Sequence, residues 1–372
     1  MYPFAVLQFM KEYLEKVWTK RPLIISGPCS AETEEQVLQT AIRLKATQHV
    51  DLLRAGIWKP RTKPGMFEGM GEKALPWLIR ARKETGIPVM VEVARSEHVE
   101  LALRYGVDLV WIGARSTVNP FSVQELADAL KGVNIPVFIK NPVNPDLELW
   151  CGAVERVQQA GITHIGLIHR GFTSYAQTPY RNAPMWQLPI EMKRRFPHLK
   201  MICDPSHICG NRELLVQVAQ KSIDLDFDGL MIESHIDPDH AWSDSRQQVT
   251  PETFLGILHA LVWRSGEESQ PETHNALMAL RGQIDHLDDE IMDLLSRRMK
   301  LADQIGLYKK EHNMTILQAK RWNDIMQRAL AQGLPIGLSR EFIIRYLDAV
   351  HLESIQHQNR VMNEETPTKP IA

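Results

Sequence analysis

The chain has 372 residues, room for a large domain and a smaller one. Its 43 basic and 45 acidic residues leave a net charge of −2, which argues against nucleic acid or an anionic membrane as the main partner. No apolar stretch reaches the length of a membrane span, and the four cysteines (Cys29, Cys151, Cys203, Cys209) lack paired zinc-finger spacing, so they are expected to be reduced cytoplasmic thiols.

Met1–Lys20 opens the chain with apolar residues interrupted by Gln8, Lys11, Glu12, Glu15 and Lys16, which predicts an amphipathic helix and not a signal peptide. Eight short apolar runs follow, each ending in or just before a polar residue fit for chemistry. They are Leu23–Ser26 before Cys29, Leu52–Ile57 before Lys59, Val89–Val93 with Glu92, and Leu109–Gly113 before Arg115. Val137–Ile139 precedes Lys140, Ile165–Ile168 precedes Arg170, Met201–Cys203 precedes Asp204 and His207, and Leu230–Ile232 precedes Glu233. Strand starts lie roughly 20 to 36 residues apart with helical stretches between, the spacing of βα units. The expected fold is a (β/α)8 barrel over 1–264, whose strand C-termini meet on one face and carry the active site.

After a helix at Pro251–Trp263 comes a polar segment holding Gly266 and Pro271, read as a linker over 265–273. The period then changes. Leu277, Leu280, Ile284, Leu287, Ile291 and Leu294 alternate spacings of three and four, continued by Leu301 and Ile305. One helix over His274–Glu311 is expected, roughly 55 Å long, followed by helices near Ala319–Gln332 and Ser339–Asn359. An all-helical domain over 274–360 with a disordered tail over 361–372 completes the chain. So long an apolar seam is hard to bury within one small unit, which predicts a homo-oligomer, at least a dimer through these helices.

At the predicted barrel mouth, Cys29, His207, Glu233 and Asp244 are candidate metal ligands, with His235 a rival. One thiolate, one imidazole and two carboxylates suit a borderline divalent ion (Mn²⁺ first, then Fe²⁺, Co²⁺ or Zn²⁺) better than Mg²⁺. Arg54, Lys59, Arg61, Arg115, Lys140 and Arg170 fall in or just past strands, where a cation is tolerated only if paired or bound to an anion. Ion pairs with Glu92, Asp51 or Asp108 would account for one or two of the six. The rest point to a heavily anionic substrate.

Gly27-Pro28-Cys29-Ser30, Arg54 through Lys59-Pro60-Arg61-Thr62, Gly113-Ala114-Arg115, Ile139-Lys140, His169-Arg170-Gly171, Asp204-Pro205-Ser206-His207 and Met231 through His235 resemble 3-deoxy-D-arabino-heptulosonate 7-phosphate (DAHP) synthase, in its short barrel subtype. The resemblance implies condensation of phosphoenolpyruvate with erythrose 4-phosphate at the head of the shikimate pathway. It assigns Cys29, His207, Glu233 and Asp244 to the metal and Arg54, Lys59, Arg115, Lys140 and Arg170 to phosphoenolpyruvate. Lys59, Pro60, Arg61 and Thr62 also face erythrose 4-phosphate, and Ala114 belongs to the substrate site. Glu92 is one of two candidates for the base that activates water, beside a water on the metal. A related octulosonate 8-phosphate synthase-like activity is the alternative, set aside because its motif at Lys59–Thr62 differs.

Arg298 interrupts the apolar seam between Leu294 and Leu301, which is costly unless an anion meets it. Lys309 lies eleven residues on, along the same face, whereas Arg281 points elsewhere and could serve a neighbouring chain. Ser354 and Gln358 form an i,i+4 pair on the last helix. With Arg321, these residues resemble the binding positions of an all-helical chorismate mutase. That implies rearrangement of chorismate to prephenate, with Arg298, Lys309 and Gln358 catalytic and Arg281, Arg321 and Ser354 binding. Where that family often carries acidic residues, this chain has Gln318 and Trp322, which favours the alternative of a non-catalytic sensor and dimeriser. The linker, Ser265–Thr273, reaches at most about 30 Å, and prephenate or chorismate bound in the helices is expected to inhibit the barrel.

Overall fold

The computed structural model describes residues 15–60, 64–264 and 271–363. The chain divides into two compact units, Met1–Gly266 and Glu267–Ala372. Of the expected N-terminal helix, 15–19 are helical and 1–14 lie outside the described residues.

The eight apolar runs form eight parallel strands: β1 (Leu23–Gly27), β2 (Leu52–Ala55), β3 (Val89–Val93), β4 (Leu109–Ile112), β5 (Val137–Lys140), β6 (Ile165–His169), β7 (Lys200–Cys203) and β8 (Gly229–Glu233). They close into a barrel in chain order, with β1 pairing β8 from Leu23 opposite Gly229 to Gly27 opposite Glu233. Lys140, His169 and Glu233 are thus the last residues of their strands instead of the first residues after them. Helices cross back outside, several entered through side-chain caps: Thr33 accepts from Gln36 N, and Asp146 from Leu149 N.

Alternation along the strands builds two cores. Ile25, Leu52, Met90, Leu109, Trp111, Phe138, Ile168, Ile202 and Met231 fill the barrel interior, while their neighbours pack outward on the helices. Gly166 on β6 makes room for the Phe138 ring, which a Cβ there would meet at 2.3 Å. Gly27 has φ +147°, and a Cβ would lie 2.1 Å from the Arg54 carbonyl oxygen, so only glycine lets β1 turn so close beside β2.

The second unit has three long helices: α1 (Pro271–Glu311), α2 (Ala319–Gly333) and α3 (Arg340–Asn363). Pro271, expected in the linker, instead opens α1, a position that tolerates its missing N–H. The last helix runs to Asn363, four residues past the expected end. Both α1 and α2 pack on α3. Among the described residues this unit buries only Ala302, Leu330, Ile343 and Val350 as apolar side chains. The expected seam is open: Leu280, Ile284, Leu287, Ile291, Leu294, Leu301 and Ile305 are each between 45 and 59% exposed. No helix among the described residues is long and apolar enough to cross a membrane.

Candidate active sites

The floor of the barrel mouth is Trp111, fully buried, whose indole Nε1 donates to Glu92 Oε2 at 3.0 Å. Arg54 and Lys140 stand over its ring at 5.0 and 5.8 Å from the centroid, which gives two desolvated cations a favourable face. Arg54 also donates to Glu233, and Lys140 Nζ lies 2.8 Å from Asp204 Oδ2. Asp51 and Asp108, suggested as partners for these cations, serve elsewhere: Asp51 pairs with Lys20, and Asp108 pairs with Arg82 at 2.7 Å.

Arg170 follows β6 and is buried, with Nη1 donating to Asn182 Oδ1 at 2.9 Å. Burial and the charges of Arg181 and Arg115 bring its pKa down to about 10. Burial is the larger cause, and the neighbouring guanidinium charges add to it. Lys59 donates to the Cys29 carbonyl and lies 3.2 Å from Cys29 Sγ, in space that Gly56 leaves clear. Pro60 is half-buried, Ala114 buried and Arg115 exposed, while Arg61 and Thr62 lie outside the described residues.

Cys29 Sγ, a Glu233 oxygen and an Asp244 oxygen all lie within 4.8 Å of one another, close enough to share one ion. Burial and the Glu233 carboxylate push the Cys29 thiol up to about 12, so the proton leaves only if a strong positive charge replaces it. Three of the four expected ligands therefore come together. His207 stands one step away, with Nε2 3.8 Å from Glu233 Oε1. Its Nδ1 lies 2.8 Å from Asp204 Oδ2, an arrangement that turns the Nε2 lone pair toward the cluster. Burial lowers the His207 pKa, which keeps that lone pair available near neutrality. The donor set fits a borderline divalent ion. His235 does not join it: Nε2 faces Glu32 Oε2 at 3.3 Å and Nδ1 accepts from Asp237 N at 2.9 Å, so both nitrogens serve the turn after β8.

Sequence reasoning missed the residues that hold these ligands. Gln247 Nε2 donates to Glu233 Oε2 at 2.7 Å, and Arg181 Nη1 donates to Asp244 Oδ1 at 2.9 Å. Both sit in irregular segments where no periodicity marks a side chain's direction.

In the helical unit, Arg298, Lys309, Ser354 and Gln358 converge between α1 and α3. Arg298 donates to Ser354 Oγ and, at 3.3 Å, to the Val350 carbonyl. Lys309 Nζ donates to Gln358 Oε1 at 3.0 Å and to the Ile316 carbonyl at 2.5 Å. Gln358 Nε2 donates to the Ser354 carbonyl at 3.2 Å. Lys309, Ser354 and Gln358 are buried, and desolvation holds the Lys309 ammonium below its ordinary range. Arg281 is not brought there: 17 residues of helix place it roughly 25 Å from Arg298 along α1. Arg321 is exposed on α2, and Trp322 stacks on His351 with ring centroids 4.1 Å apart.

Residues 18–267 match the family model described as the DAHP synthetase I family, and 280–359 match chorismate mutase type II. The chain is 32% identical over 238 residues to a phospho-2-dehydro-3-deoxyheptonate aldolase of Thermotoga maritima, covering 64% of this chain and 68% of that protein. It is 30% identical over 94 residues to a 4-amino-4-deoxychorismate mutase of Streptomyces venezuelae, covering 25% of this chain and 91% of that one. Against the crystal structure of a Thermotoga maritima DAHP synthase the TM-score is 0.57 at 30% identity, over 64% of this chain and 67% of that one.

Proposed function

Since the chain belongs to the DAHP synthetase I family and carries a type II chorismate mutase domain behind the barrel, a transferase joined to an isomerase, we propose that it condenses phosphoenolpyruvate with erythrose 4-phosphate and rearranges chorismate to prephenate. The observation that carries the first half is the meeting of Cys29, Glu233 and Asp244 with Arg54, Lys59, Lys140 and Arg170 at one end of one barrel.

In this reading Cys29, His207, Glu233 and Asp244 hold a divalent ion, Mn²⁺ by preference, which supplies Lewis acidity toward an aldehyde oxygen. Arg54, Lys59, Arg115, Lys140 and Arg170 bind the phosphate and carboxylate of phosphoenolpyruvate. Lys59 and Pro60, with Arg61 and Thr62 of the same motif, are assigned to the aldose phosphate, and Ala114 to the substrate site. Two phosphates and a carboxylate repel one another at close range, and this many cations offset the repulsion. Trp111 and the apolar barrel beneath it exclude water from below, which strengthens those interactions.

The mutase half needs no nucleophile. Arg298 clamps a carboxylate of the compact conformer, while Lys309 and the Gln358 amide donate where negative charge develops on the ether oxygen. Arg321 binds from α2, and Arg281 comes from a second copy whose α1 covers the open seam, so the domain works as a dimer. Chorismate or prephenate held there inhibits the barrel. The alternative, a non-catalytic sensor, is favoured by Gln318 and by Trp322, which is spent on His351.

Assaying both reactions on the whole chain tests the proposal. Loss of phosphoenolpyruvate only when erythrose 4-phosphate and metal are present supports the synthase. Consumption with a five-carbon aldose phosphate instead would move the barrel to the octulosonate reading, and chorismate left unchanged would leave the helices as a sensor.

A further inference from the structure

Arg181 has no role in the scheme above, yet its side chain is hydrogen-bonded into the metal cluster. Through Nη1 it donates to Asp244 Oδ1 and to Gln247 Oε1, both at 2.9 Å. Gln247 passes the contact on to Glu233 Oε2 at 2.7 Å. One guanidinium therefore reaches both carboxylates of the cluster, one directly and one through an amide.

The oxygens divide consistently. Asp244 gives Oδ1 to Arg181 and turns Oδ2 toward Cys29 Sγ, 3.4 Å away. Glu233 gives Oε2 to Gln247 and keeps Oε1 for the side facing Arg54 and His207. Asp244 also has φ +48°, the left-handed region an aspartate occupies at a cost, so its placement depends on what holds the side chain.

Arg181 is well anchored for such work. Its backbone N–H donates to the Cys209 carbonyl at 3.2 Å, and Asn182 donates to the Ile208 and His207 carbonyls at 3.1 and 2.6 Å. Gly210 lets the two segments approach, since a Cβ there would lie 2.5 Å from that of Arg181. Asn182 in turn accepts from Arg170. The dipeptide thus joins the segment bearing His207, the loop bearing Asp244 and a substrate-binding cation.

We propose that Arg181 is a positioning residue for the metal site, fixing Asp244 with one oxygen turned inward and holding Glu233 through Gln247. This rests on the metal-dependent reading of the barrel. It makes a prediction of sign that charge alone would reverse. A cation beside a metal site repels the ion, so removing it should tighten metal binding by Coulomb's law. If its work is to place the ligands, removing it should weaken binding.

The test is a titration of the metal-free full chain with Mn²⁺ alone, the free ion being read by its electron paramagnetic resonance signal. Arg181→Gln should weaken affinity about 10- to 100-fold, the range found for outer partners of metal ligands, with the melting temperature in chelator unchanged. Arg181→Lys keeps the charge but not the reach and should also lose affinity, which decides the matter if the glutamine variant does not fold. Unchanged or tighter Mn²⁺ binding in these variants overturns the proposal. Asp244→Ala separates the two ideas. If it binds Mn²⁺ as the wild type does, or the wild type binds none, the metal reading itself has failed.

Discussion

Arg54 on β2 reaches past β1 to Glu233 at the end of β8, and the two side chains are 1% and 0% exposed. Removing one partner of such a pair leaves the other charged in a dry site, at a cost of about 3–5 kcal/mol. Arg54→Met should therefore destabilise the barrel strongly in chelator. A bound divalent ion would offset the stranded Glu233 charge, so the loss should shrink when Mn²⁺ is added. Urea midpoints in the two conditions check this. An equal loss with and without metal would mean that Glu233 does not face the ion.

Chelation should split the two activities. A strong chelator, or Cys29→Ala, is expected to abolish the synthase and leave the mutase within about twofold, because a pericyclic step needs no Lewis acid. Parallel loss of both rates would refute the division of labour.

Arg298→Ala should slow the mutase on the order of a hundredfold or more, since a clamp on developing and resident negative charge is removed. Arg298 touches Ser354 and the Val350 carbonyl, so circular dichroism must show the helices intact. Normal turnover of chorismate would reduce Arg298 to a structural charge.

Gln358→Glu should make the mutase rate fall as pH rises. Protonated, the new carboxyl still donates to an ether oxygen; ionised, it only accepts and opposes the charge that develops there. Lys309, 3.0 Å from Gln358 Oε1, favours the ionised form and so moves the fall to lower pH. A flat rate–pH profile would place Gln358 away from the reacting oxygen.

Prephenate should inhibit the synthase of the whole chain by roughly 5- to 150-fold at saturation, the span of ordinary coupling energies. Arg298→Ala, which weakens the ligand's grip, should relieve the inhibition without lowering the uninhibited synthase rate. Inhibition that persists unchanged in that variant would put the regulatory site elsewhere.

Much of this was legible because β-branched runs and polar strand ends have a fixed geometry in a barrel. Cys29, Arg54, Lys140 and Glu233 meet because each sits within about two residues of the same end of its strand, a position readable from the order of residues alone. The helical site was legible for a different reason, since Arg298 breaks an apolar period that a folded helix must respect. What escaped were the residues that hold the ligands. Arg181 and Gln247 lie in irregular loops, where neither spacing nor alternation fixes a direction. Asp204 was read as a polar strand end but given no role, although its carboxylate sits between Lys140 and His207. His235 misled because alternation would put it on the same face as Glu233, but β8 ends at Glu233 and the turn beyond sends His235 to Glu32.

With a second copy covering the open stripe along α1, as proposed, the folding of the helical unit would be tied to how much protein is present. A surface that finds its cover only in another molecule is stabilised by mass action, so the helices melt at a temperature that rises with protein concentration. The barrel closes its core within one chain, and its unfolding should ignore dilution. Under dilution the helical unit is then expected to unfold before the barrel.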